Sequence, residues 1–113
     1  MTPGAVTVYL ALGPVDLRGA FDQLAALTRQ VLCRDPASGA LFLFLNRRRN
    51  RLKALWWDQN GYTILYKRLA KGTFPVPETP ATSDCACLEI SSEDFARLLS
   101  GLSITATAPR IIN

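Results

Sequence analysis

Histidine is missing from this 113-residue chain, methionine occurs once and cysteine three times. Without an imidazole, the Ser–His–Asp and Cys–His relays have no base, which excludes the commonest hydrolase designs. No GxxxxGK motif and no GxGxxG motif occurs, and Gly13, Gly19 and Gly39 stand singly, so no nucleotide cofactor is expected. The cysteines Cys33, Cys85 and Cys87 are odd in number, and Cys-Ala-Cys with no histidine matches no common zinc arrangement. Reduced thiols in the cytoplasm are therefore the expectation. No apolar run approaches the roughly 20 residues of a membrane helix, and the N-terminus lacks the basic region of a secretory signal.

Carboxylates are also few, nine in all. The ones that could hold Mg²⁺ for phosphodiester chemistry, Asp16, Asp22 and Asp58, each have a simpler role: an N-cap, a charge near a helix start and a turn opener. Arg18 and Asp22, four apart, read as a surface ion pair. No catalytic residue, metal set or cofactor is assigned.

What is present is a globular composition, 49% hydrophobic and 19% charged, in a length that suits one domain over residues 1–113. The net charge of +4 is unevenly spread. Residues 47–71 hold Arg47, Arg48, Arg49, Arg51, Lys53, Lys67, Arg68 and Lys71 against Asp58 alone, so the remainder is negative on balance. Such a concentrated field favours a polyanionic partner and salt-sensitive binding.

Seven of the ten aromatic residues fall within residues 41–74, which enclose this basic stretch. Asn60-Gly61 lies between two strand-like runs and predicts a hairpin in which these two residues form the loop. Partners across it would then have numbers summing to about 121, pairing Trp57 with Ile64 and Leu55 with Tyr66. Alternation puts Leu52, Ala54, Trp56, Leu65 and Leu69 on one face, with Lys67 as its charge. The other face carries Arg51, Lys53, Leu55, Trp57, Tyr62, Ile64, Tyr66 and Arg68. This second face is open to two readings: cations and rings set out for a nucleic acid, or Lys and Arg stems lying over the rings of an ordinary sheet.

Elsewhere, residues 6 to 12 alternate as a strand. Asp16 is placed to cap a helix with an apolar stripe of Leu17, Phe21, Leu24, Leu27, Thr28, Val31 and Leu32. Residues 41 to 45 are apolar on both sides and predict a central strand. The prolines Pro75, Pro77 and Pro80 predict a surface connector over 75–84. A short strand at 87 to 90 follows, then a helix opened by Ser91 and striped with Phe95, Leu98, Leu99 and Leu102. Residues 103–113 have little pattern and are expected to fray. The order predicts an α+β fold, a mainly antiparallel sheet of four to five strands packed against two helices, both on one face.

Taken together, GPVDLRGAFDQLAAL (13 to 27), DPASGALFLF (35 to 44), NRRRNRLKALWWDQNGYTILYKRLAKGTFPVP (46 to 77) and ISSEDFARLLSGL (90 to 102) resemble the TnpB-type accessory proteins. These are second-reading-frame products of the IS-sixty-six class of bacterial insertion sequences, and the likeness runs over roughly residues 6 to 102. The resemblance implies a small non-catalytic protein that serves transposition beside a separate, larger transposase subunit. It does not extend to the RNA-guided nucleases that share the label. Two positions depart from the family pattern: Gly19-Ala20 stand where Lys-Gly usually precedes Phe21, and Val76 stands where a Trp is common before Pro77. With the resemblance, the basic stretch is assigned to DNA. Arg47, Arg48, Arg49, Arg51 and Lys53 are expected at phosphates, Lys67, Arg68 and Lys71 extend the track, and Trp57, Tyr62 and Tyr66 meet sugars or bases. The alternative gives the aromatic face to the transposase subunit.

Overall fold

The computed structural model describes residues 6–76, 85–104 and 110–112, the last three as backbone alone. In chain order these form β1 (Val8–Ala11), α1 (Phe21–Gln30), β2 (Leu41–Leu45), β3 (Arg51–Asp58), β4 (Gly61–Arg68), β5 (Cys87–Ile90), α2 (Ser92–Leu99) and β6 (Arg110–Ile112). The strands make one sheet in the order β4-β3-β2-β1-β5-β6. Every neighbouring pair is antiparallel except β1 and β2, which are parallel because α1 carries the chain back between them. The fold is α+β, as the element order predicts. The sixth strand lies in the 103–113 segment, where its backbone pairs with β5.

A strand that is apolar on both sides has to be covered on both sides, and β2 is buried at every position. The helices therefore divide between the two faces, which corrects the expectation that both would cover one. Leu24 and Ala25 of α1 pack with Ala11, Phe42, Phe44, Leu55 and Cys87. Leu98 of α2, flanked by Phe95 and Leu99, packs with Val8, Leu10, Leu43, Leu52 and Ala54 on the other side. The buried Phe74 joins this second layer from the segment after β4.

α1 begins at Phe21, later than the sequence predicts, and no side chain caps it. Asp16 is occupied elsewhere: the Arg18 backbone N–H donates to its Oδ1 at 3.0 Å, and the guanidinium donates to both its oxygens. The expected Arg18–Asp22 pair is replaced by this contact. α2 behaves as predicted at its start, where Ser91 Oγ accepts from the Asp94 N–H at 3.0 Å. At its end Gly101 takes φ 77°, Gly101 N–H donates to Leu98 O, and Leu102 N–H donates to Arg97 O. This is the Schellman arrangement, whose left-handed residue is easiest for glycine.

The β3–β4 hairpin turns one residue earlier than Asn60-Gly61 predicts. Asp58 faces Gly61, Trp57 faces Tyr62, Leu55 faces Ile64 and Lys53 faces Tyr66. The loop is Gln59-Asn60, with Gln59 at φ 57° and the Asn60 N–H donating to Asp58 O at 2.6 Å. Because the register differs by two residues, every side chain keeps its predicted face.

Cys33 and Cys85 form a disulfide across a sequence separation of 52, with Cα atoms 5.2 Å apart. This corrects the expectation of three reduced thiols: Cys87 alone is free, and it is buried. No described helix is long and apolar enough to cross a membrane. From residue 77 to 84 the expected proline connector lies outside the described residues.

Candidate nucleic-acid interface

Arginines held at a turn project outward only if the turn itself is fixed, and Asn46 fixes this one. Its Oδ1 accepts from the N–H groups of Asn50 and Arg51 at 3.1 and 3.0 Å, and its Nδ2 donates to Asn50 Oδ1 at 2.8 Å. Arg49 takes φ 57° to complete the turn and donates through Nη1 to Val76 O at 2.8 Å. Arg47 and Arg48 are left exposed at the tip.

Two further segments are tied to the same end of the sheet. The Val15 N–H donates to Leu45 O at 2.9 Å, which lays residues 14 to 18 beside the turn. Leu69 N–H donates to Asn50 O and Phe74 N–H to Arg49 O, at 2.8 and 2.7 Å, so the loop bearing Lys71 returns there as well. An open cleft of about 550 Å³ lies between these pieces, lined by Asp16, Arg18, Arg47, Arg48, Arg51 and Tyr66 among others. The motifs GPVDLR, NRRRNR and YKR, far apart in the chain, thus meet at one place.

The cleft's charge is strongly positive, since Asp16 is its one carboxylate among the described residues and is engaged by Arg18. That bidentate contact, 2.7 Å at its shortest, holds the Asp16 carboxyl below its ordinary range and raises the guanidinium. Arg18 remains 90% exposed. Sequence reading missed it because a helix starting at Asp16 would have turned its side chain toward Asp22. Arg51 and Arg68, both exposed, face each other across β3 and β4 at the cleft's edge. Like charges placed opposite each other repel, and a polyanion would relieve that repulsion.

The other expected contacts separate. Lys53 is only 8% exposed. Its Nζ donates to Leu17 O and Gly19 O at 2.6 Å each and lies 4.8 Å from the centre of the Tyr66 ring. This ammonium braces the loop before α1 and supports the cleft from below. Lys67 points to the opposite face, where it donates to Leu99 O at the end of α2. Trp57 and Tyr62 pack edge to face, 5.0 Å apart, at the far end of the hairpin. From Arg51 to Asp58 is about 23 Å of extended strand, so these rings stand well away from the arginines.

Trp56 and Trp57 instead line a second open cleft of about 770 Å³ with Tyr9, Arg34, Asp35 and Asp58. Arg34 stacks 4.3 Å above Tyr9, which itself stacks on Phe42. Among the described residues, no group of three or more His, Cys, Asp or Glu side chains could hold a metal ion.

Comparison with known proteins agrees with the motif reading. The chain is similar to two proteins of Sinorhizobium fredii (strain NBRC 101917 / NGR234), both described as uncharacterized. To y4hO it is 35% identical over 97 residues, covering 86% of this chain and 81% of the relative. To y4jC it is 34% identical over 98 residues, covering 87% and 80%. No solved structure gives a significant match. A family profile described as "IS66 Orf2 like protein" matches residues 6–109, and the chain belongs to that family, which implies an accessory role in transposition.

Proposed function

We propose that this chain is a non-catalytic accessory protein of transposition that grips DNA by its phosphates in the cleft between residues 14–18 and the arginine turn. The observation that carries this reading is the convergence of Arg18, Arg47, Arg48 and Arg51 on one open cleft whose sole carboxylate among the described residues is engaged by Arg18. Arg68 and Lys71 extend the positive field, and the ring of Tyr66, 51% exposed, offers a flat surface to a sugar or base. Lys53, Arg49 and Lys67 act through structure, by holding carbonyls of neighbouring segments. Phosphate contacts fix position without reading sequence, so binding should differ little between element ends and unrelated DNA.

Fluorescence anisotropy at low salt tests this. The variant Arg47→Ala/Arg48→Ala/Arg51→Ala should bind a duplex at least ~10-fold more weakly, since each lost phosphate contact removes part of the counterion-release term. Arg29→Ala, the same type of change in the last turn of α1, should bind as the parent does. Absence of binding by the parent at low salt would overturn the proposal.

The far cleft supports a second contact, with the transposase subunit. There Arg34 is offset by Asp35 and Asp58, so the described lining has no positive excess, and tryptophans supply the apolar surface typical of protein interfaces. Co-purification with the transposase should be lost on Trp57→Ala and retained when the exposed Arg47 and Arg48 are replaced.

A further inference from the structure

β4 is the long outer strand of the sheet, and among the described residues nothing pairs with its outer side. Which backbone groups face outward follows from one hydrogen bond: Leu69 N–H donates inward to Asn50 O, continuing the β3–β4 register. Backbone groups alternate along a strand, so Leu65, Thr63 and Lys67 also address β3. The N–H and C=O groups of Tyr62, Ile64, Tyr66 and Arg68 therefore address the open edge.

Edge strands usually carry a device against pairing, such as a bulge, a proline or an inward charge. β4 is eight residues long and holds neither proline nor bulge; its charges, Lys67 and Arg68, sit together at its C-terminal end. That placement discriminates between partners. A parallel copy in register would bring the cations against each other, which is unfavourable. An antiparallel copy would bring them against the uncharged N-terminal end.

We propose that the edge of β4 pairs antiparallel with β4 of a second copy of this chain, about a two-fold axis at Leu65. This register matches all four outward-facing residues of each strand: Tyr62 with Arg68 and Ile64 with Tyr66, closing about eight hydrogen bonds. On the other face Thr63 meets Lys67, and Leu65 meets its own copy. Arg68, which faces Arg51 within the chain, gains the partner's Tyr62 ring as a cation–π neighbour. The axis stands perpendicular to the sheet, so the two α1 faces lie on the same side of a continuous twelve-stranded sheet, about twice the six strands of one copy. The proposal is independent of DNA binding.

Sedimentation velocity on the full chain, without DNA, over a range from about 1 to 100 µM, is the first test, since obligate and transient dimers separate over such a span. A monomer–dimer equilibrium is expected, and a monomer throughout would overturn the proposal. Ile64→Pro and Tyr66→Pro remove outward N–H groups and leave the β3–β4 ladder its own donors. Each should weaken the dimer at least ~10-fold while the circular dichroism spectrum is kept. A dimer of unchanged affinity in these variants would place the contact elsewhere. Oxidative cross-linking reads the register without relying on proline. Leu65→Cys should give a covalent dimer on non-reducing gels and Thr63→Cys should not; the reverse result would refute the axis at Leu65.

Discussion

Lys53 illustrates how a residue's type and its task can part. A sequence reading assigns it to phosphate, since it stands two residues from Arg51 in a basic run; in the fold its ammonium is buried against the carbonyls of Leu17 and Gly19. Lys53→Met should leave those carbonyls without their donor and cost about 2 kcal/mol, as hydrogen bonds to charged groups do, which urea denaturation would measure. Asp16 gives the opposite prediction. If it were a catalytic carboxylate, Asp16→Asn would abolish an activity; as a negative charge in a DNA-binding cleft, its removal should tighten binding by about 3-fold, the scale of a surface charge. Anisotropy at fixed salt distinguishes the two. The Asp16 carboxyl lies below its ordinary range, so its contact with Arg18 persists through neutral pH and is lost only as the pH falls below the usual carboxylate range. Cys87 titrates in the other direction: burial pushes its thiol up. The unfolded chain then deprotonates first, and stability should decline as the pH rises above about 9.

At the scale of elements, what was legible depended on whether the signal was local. The two faces of the hairpin were readable because alternation survives a shift of two residues. Its register was not, because Gln59, a residue type with no preference for positive φ, takes the first loop position that the Asn60-Gly61 signal assigns to Asn60. The start of α1 was misplaced for a similar reason: Asp16 has the chemistry of a cap, but Arg18, two residues on, captured it. The run Leu41–Leu45 did contain the division of the helices between two faces, since a strand apolar on both sides needs two covers. The Cys33–Cys85 bond was out of reach, as three cysteines permit several pairings and the bonded pair is 52 residues apart. That bond joins the end of α1 to the start of β5 and, by loop-closure entropy, contributes about 4 kcal/mol. Thiol titration should find the native chain unreactive, one thiol after denaturation without reductant, and three with reductant. Two or more thiols in the denatured, unreduced chain would contradict the pairing.

Over the whole molecule the sheet separates two chemistries. One end gathers arginines from segments distant in sequence; the other gathers Trp56, Trp57 and Tyr9 around Arg34 and two carboxylates. A basic run by itself is most often a solvated loop, and here the fold adds what the run lacks: Asn46 to fix the turn, residues 14–18 to make a wall, and Arg18 to complete the ring of charge. The central claim is that the cleft's arginines neutralise phosphates. The most direct test is the slope of log binding constant against log salt concentration for duplex DNA, compared between the parent and Arg47→Ala/Arg48→Ala/Arg51→Ala. Each phosphate contact contributes about 0.9 to that slope, so the variant's should be shallower by about 2 to 3. An unchanged slope would mean that those arginines do not touch the phosphate chain.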